Sequence, residues 1–201
     1  MKGFRKSMDS IRNYIVGTYE ESLKAKKKFL DENVDHVIQA CDIISKSMKS
    51  GHKLMICGNG GSAADAQHMA AEMIGRMLVE RNPLPAMALT TDTSNLTAIA
   101  NDYSFDAVFE KQVQGLGNKG DVLLAISTSG NSKNVLRAVE AAKVKGMHVI
   151  SMTGGTGGKL KDLSDVNLNV ALGANSSRIQ ETHIFIVHSI VDVIDRFFLK
   201  G

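Results

Sequence analysis

His68 and Glu72 stand four residues apart in the run Ser62-Ala63-Ala64-Asp65-Ala66-Gln67-His68-Met69-Ala70-Ala71-Glu72. On a helix, residues at i and i+4 project from one face. An imidazole and a carboxylate so placed can act as an acid/base pair, as two ligands of a metal, or as an ordinary surface contact. Near the C-terminus, Arg178, Gln180, Glu181, His183 and His188 fall in a second helical pattern. It is almost continuously apolar from Ile184 to Ile194, interrupted by His188, Ser189 and Asp192. Gln180 and His188 are separated by about 80° around such a helix and about two turns along it. A histidine inside so apolar a run is more often a core residue with one satisfied hydrogen bond. Spacing does not choose between His183 and His188.

Two loops supply chemistry of another kind. Gly58-Asn59-Gly60-Gly61-Ser62-Ala63 follows an apolar run and leads into the helix of His68. Glycines let backbone approach a ligand closely, and a helix start offers unpaired N–H groups to an anion. The run also fits G-x-G-x-x-A. The dinucleotide fingerprint needs an acidic residue about 20 positions on, yet the nearest candidate beyond the second strand, Asp92, comes 34 residues after Gly58. The second loop, Ser127-Thr128-Ser129-Gly130-Asn131-Ser132, also joins an apolar run to a helix. Neither loop contains G-K-[ST], which excludes a Walker A site. A tight turn or a simple cap explains either loop alone. Two of them at the same edge of a sheet fit one ligand bearing a phosphate and several hydroxyls. A third glycine cluster, Gly154-Gly155-Thr156-Gly157-Gly158, reads as a turn on that edge.

Positioning these groups requires a sheet. Apolar runs at 53–57, 86–90, 122–127, 147–153 and 166–170 alternate with helical patterns near 62–80, 104–116, 132–145 and 176–199. Five strands mostly separated by helices predict an α/β protein: a five-stranded parallel sheet, doubly wound into a three-layer sandwich. Ligands in such folds bind beyond the carboxyl ends of the strands. Residues 1–51 read as two further helices, with Asp31 as N-cap of the second and Gly51 as its stop. Their apolar positions (Ile11, Ile15, Leu23, Phe29, Val34, Val37, Ile38, Cys41, Ile43 and Ile44) must pack on the sandwich or on another subunit. The 201 residues are treated as a single domain, 1–201, with 1–51 as a helical extension.

Composition narrows the remaining classes. The chain is 43% hydrophobic and 22% charged, with 2 Cys, which argues against disorder and against a disulfide framework, and points to a cytoplasmic location. Nothing resembles a signal peptide or an apolar span of membrane length. The net charge of +3 arises in residues 1–28, where eight Lys/Arg face three Asp/Glu. Lys26-Lys27-Lys28 reads as a solvated helix face, and no nucleic-acid motif accompanies it.

Taken in order, GNGGSAADAQH, AISTSGNS and RIQETH resemble the sugar isomerase (SIS) family, most closely its phosphoheptose isomerases, over essentially the whole chain. The resemblance implies conversion of sedoheptulose 7-phosphate into D-glycero-D-manno-heptose 7-phosphate. That reaction is the first step of nucleotide-activated heptose biosynthesis, including that for lipopolysaccharide. It also implies a homotetramer with active sites between subunits, and no organic cofactor. By motif, Glu72 matches the family's general base and His188 its acid/base partner. Asn59, Gly60, Gly61, Ser62, Asn101, Asp102, Ser127, Thr128, Ser129, Ser132 and Gln180, with Glu72, match positions that hold the sugar phosphate. A family zinc site would fall on His68, Glu72, Gln180 and His188. Ala63 departs from members in which a His follows the loop serine.

A DnaA-binding initiation factor resembles this family in fold and tetramer, and LTAIANDYSFDAVFEKQV is similar to both kinds of protein. The resemblance therefore also implies an alternative: a non-catalytic binding protein. In the binding protein the Glu and the second His are replaced and both loops are altered. This chain keeps Glu72, His188, Gly61 and Ser129, which favours the isomerase. Arabinose-phosphate isomerases carry extra domains and glucosamine-type enzymes duplicate the module, so a single module of 201 residues fits neither.

Overall fold

A computed structural model describes residues 8–172 and 175–199. The strands are β1 (Leu54–Cys57), β2 (Ala86–Ala88), β3 (Val122–Ser127), β4 (His148–Gly154) and β5 (Val166–Val170). All pair in parallel, in the order β2-β1-β3-β4-β5. The helices are α1 (Met8–Lys49), α2 (Gly61–Ile74), α3 (Thr93–Asp102), α4 (Val108–Leu116), α5 (Lys133–Val144), α6 (Leu160–Leu163) and α7 (Ser176–Phe197). The expected parallel α/β sheet is borne out.

Alternating strand residues feed two cores, as a sheet covered on both faces demands. Leu54 and Ile56 of β1 join Val122, Leu124 and Ile126 of β3 against α1, α2 and α7. Met55 and Cys57 join Leu123 and Ala125 against α4 and α5. Chain order reverses direction between β1 and β3, so the loops after these two strands flank the switch point at which such sheets bind ligands.

Three expectations are corrected. Residues 8–49 form one helix, not two. Asp31 lies in its interior, pairing with Lys27 at 2.8 Å, and caps nothing. No proline interrupts the segment, and an i,i+4 pair favours continuing the helix. Gly51 does end it: the His52 and Gly51 amides donate to the Ser47 and Met48 carbonyls. Second, the helix expected near 62–80 stops at Ile74, where Gly75 is its C-cap. Third, α3 was not anticipated, because it buries none of its residues and so has no core-facing stripe. Its N-cap is Asp92, whose side chain accepts from the Asn95 amide, and this disposes of Asp92 as a ribose ligand.

The N-terminal stripe divides. Phe29, Cys41 and Ile44 are buried in the core, whereas Ile11, Ile15, Leu23, Val34 and Ile38 are exposed. In the Lys26–Lys28 run, Lys27 and Lys28 pair with Asp31 and Glu32, and Lys26 with the Ser22 hydroxyl, as a solvated face does.

Candidate active site

The two loops lie side by side as a cradle, tied together through α5. Gly60 is the N-cap of α2 and supplies no side-chain cap, so the helix start is left to its backbone. Ser62 is buried in the first turn, its amide donating to the Asn59 carbonyl. In the second loop three hydroxyls converge: Ser127 Oγ lies 2.9 Å from Ser132 Oγ and 3.4 Å from Ser129 Oγ. Ser132 is the N-cap of α5 yet makes no side-chain cap bond. These hydroxyls sit at the positive end of a twelve-residue helix, an arrangement able to hold an anion without lysine.

Backbone packing holds the cradle. Gly130 has φ +64°, and a Cβ there would meet the Gly157 and Gly158 backbone. The serine loop therefore rests on the third glycine cluster. The Asn59 amide forms a reciprocal pair with Asn134 of α5, both bonds 2.9 Å. Asn59 thus ties one loop to the other helix, and its side chain is not aimed into the cradle. Thr128 is half-buried, with its carbonyl against Gly154. Asn101 and Asp102 are exposed at the end of α3 and bond to each other at 2.9 Å, so the structure does not gather them with the serines.

The titratable groups meet where α2 and α7 run side by side. His68 Nε2 lies 3.1 Å from Glu72 Oε1 and 3.1 Å from His188 Nε2, and His188 Nε2 is 3.8 Å from Glu72 Oε1. The Glu72 side chain is 16% exposed, against 46% and 47% for the two imidazoles. Its Oε2 is buried with no protein partner. A sheltered carboxylate beside two reachable imidazoles can remove a proton from carbon while an imidazole passes others between oxygens. Gln180 takes a different place: its amide packs on Gly61, so tightly that a Cβ there would lie 2.6 Å from Nε2.

The choice between the two C-terminal histidines now follows from burial. His183 is fully buried on the opposite side of α7, its Nε2 donating to the Thr153 carbonyl at 3.1 Å. Burial pushes its imidazole down to about 4, against the pull of that bond. An imidazole depressed in the folded state stabilises above its unfolded value near 6.5, and that contribution is lost as pH falls toward 4. The loss comes to about 3 kcal/mol. His183→Gln keeps a donor for Thr153 and does not titrate, so its denaturation midpoint should fall less than the wild type's between pH 7 and pH 4.5. Equal falls would assign the acid sensitivity to other groups.

Four residues of this region escaped the reading from sequence. Asn134 pairs with Asn59. Asp65 sits one turn before His68 with Oδ2 unpartnered, and burial raises its carboxyl to about 6 despite the opposing charge of His68. Arg81 and Asp195 form a fully buried ion pair, 2.8 Å between Nε and Oδ1. Only Asp195 carried a signal, as an acid near the end of an apolar helical run. Arg81 lies just past the stretch 62–80 read as helix and gave none.

A family model for the SIS domain matches residues 18–154, which include both loops, His68 and Glu72. The chain belongs to the SIS domain family. Among curated SIS relatives, the phosphoheptose isomerase of Coxiella burnetii (strain RSA 331 / Henzerling II) is 51% identical over 181 residues, covering 89% of this chain and 90% of its own. A solved structure of the Neisseria gonorrhoeae phosphoheptose isomerase superposes with a TM-score of 0.87 at 48% identity, over 92% of this chain and 99% of that one. One from Francisella tularensis gives 0.87 at 41% identity, over 95% and 99%. The resemblance read from GNGGSAADAQH, AISTSGNS and RIQETH therefore holds for fold and family. No helix of this SIS chain, among the described residues, is long and apolar enough to cross a membrane.

Proposed function

We propose that this chain is an aldose–ketose isomerase that interconverts sedoheptulose 7-phosphate and D-glycero-D-manno-heptose 7-phosphate. The observation that carries the reading is the His68–Glu72–His188 cluster, where a sheltered carboxylate lies 3.1 and 3.8 Å from two imidazoles on helices bordering the serine-lined cradle. Relatives at about 50% identity carry the same activity in their names, which favours catalysis over the non-catalytic alternative.

The reaction moves a proton between neighbouring carbons through an enediolate. The phosphate is held by the Ser127, Ser129 and Ser132 hydroxyls, the amides opening α2 at Gly60 and Gly61, the Ser62 hydroxyl, and the backbone at Thr128. Gln180, beside Gly61, borders the same ligand, whereas Asn101 and Asp102 lie apart from it on α3. Glu72 takes the proton from carbon and returns it to the neighbour. His188 shifts the hydroxyl proton from one oxygen to the other, a task suited to an imidazole, whose ring nitrogens can both donate and accept.

The donor set also fits zinc. The ligand atoms of His68, Glu72 and His188 lie within 4.8 Å of one another, and two imidazoles with a carboxylate are a normal zinc triad. Gln180 would complete the set only by turning its amide away from Gly61. Bound there, the ion would polarise the carbonyl oxygen as a Lewis acid. The assembly we assign is a homotetramer. Its support is the exposed row Ile11, Ile15, Leu23, Val34 and Ile38, together with α3, which buries nothing within its own chain. Both cysteines are free and buried, in keeping with a cytoplasmic setting.

Incubation with sedoheptulose 7-phosphate should yield the aldose, with turnover falling on chelation and returning with zinc. Turnover indifferent to the chelator would remove the metal and leave the isomerase. No aldose under any condition would restore the binding-protein reading.

A further inference from the structure

The strongest unassigned feature lies behind the cluster. Arg81, in the segment 75–85 between α2 and β2, has no side-chain exposure, and neither does its partner Asp195 on α7. Beyond its 2.8 Å bond to Asp195, the guanidinium donates to backbone. Nη2 reaches the Glu72 carbonyl at 2.8 Å, and Nη1 reaches the carbonyls of Met73 at 2.7 Å, Gly75 at 3.0 Å and Asn82 at 3.2 Å. The last carbonyls of a helix have no donors of their own, and they form the negative end of its dipole. Arg81 satisfies them at the end of α2, and one of those carbonyls is that of Glu72 itself. Asp195 follows His188 by seven residues, about two turns on and within roughly 20° of the same face. A single side chain therefore fastens the backbone of Glu72 to the helix face that carries His188.

We propose that Arg81 is a positioning residue for the proton transfer, with Asp195 as its anchor. The proposal rests on the isomerase reading. A buried ion pair gives little stability that apolar side chains of similar volume would not also give. This pair is oriented by four backbone carbonyls, which only the planar five-donor guanidinium can serve together. Its effect falls on the relation between Glu72 and His188, because Arg81 grips α2 at its C-terminal end, whereas the phosphate cradle lies at the N-terminal end of α2 and on β1, β3 and α5. A displacement near 1 Å of a reacting group costs about 10²-fold in rate.

The test compares wild type, Arg81→Lys and the double variant Arg81→Met/Asp195→Leu in steady-state kinetics on sedoheptulose 7-phosphate and in thermal unfolding. The Lys variant keeps the charge opposite Asp195 but loses the simultaneous grip on the Glu72 and Met73 carbonyls. The double variant replaces the pair with apolar volume and should remain folded. Both should lose about tenfold or more in kcat, with KM within roughly twofold of wild type. A folded variant with wild-type kcat would overturn the proposal, and so would a loss expressed in KM. Failure of every variant to fold would count against it too, making the pair a requirement of folding alone. A wild-type chain that makes no aldose would instead overturn the isomerase reading, a result visible before any variant is compared.

Discussion

Glu72→Gln should lower kcat by about 10³-fold, the middle of the range contributed by a positioned general base. The substitution preserves shape and leaves an amide oxygen able to face His68. Glu72 is not part of the phosphate cradle's serine cluster, so KM should change little, and unfolding should stay close to wild type. Zinc content measured on both proteins separates two causes: a variant that matches the wild type in zinc but not in turnover has lost the base. Near-normal turnover in the folded variant would remove Glu72 from the carbon chemistry.

Gly130→Ala is the second change with a large effect, and its cause is steric. At φ +64° any side chain is strained, and here the added carbon would also lie within 2.5 Å of the Gly157 carbonyl carbon and 2.9 Å of the Gly158 nitrogen. The serine loop must move off the third glycine cluster, carrying Ser129 and Ser132 with it. Stability should fall by about 2 kcal/mol or more. KM for the sugar phosphate should rise about tenfold, as expected when one hydrogen bond to a charged group is lost. Gly155→Ala is the control, since Gly155 has a similar φ of +59° with open space around the added carbon. It should show the backbone strain, about 1 kcal/mol, without the change in KM. Equal effects from the two substitutions would mean that the contact with Gly157 is unimportant.

The contrast between these glycines shows what can be read from sequence. The central strands β1 and β3 were readable because their apolar runs are buried on both sides. Leu54, Met55, Ile56 and Cys57 all lie in one core or the other, so burial needs no further information. The loops were readable because glycine and serine at a strand end have few other uses. The pairing of His68 with Glu72 followed from helical spacing. The approach of His188, 120 positions away, followed from nothing local and rested on the family resemblance. Asn59 shows the limit most clearly. Its motif assigned it to the ligand, but its amide is spent on Asn134, and only the fold brings that residue near. The single long α1 was misread for a related reason, since a mid-helix Asp with a Lys four residues earlier looks like a cap until the chain is seen to continue. Arg81 could not have been found from sequence, because its partners are carbonyls, which every residue has.

The parallel course of α2 and α7 has a consequence of its own. The helices touch near their starts, at Gly61 and Gln180, and again at His68 and His188. Seven residues separate these points on one helix and eight on the other, or about 11–12 Å of axial rise. In the proposed reaction, the interval between the end that would hold the phosphate and the end that would move protons is thus set by two helical backbones. It works as a fixed gauge. Lengthening it would need an insertion in both helices at once, and an insertion in one alone would rotate its reactive side chain off the shared face. Substitutions in the loops can retune affinity, but the reach of the site is set by counting residues.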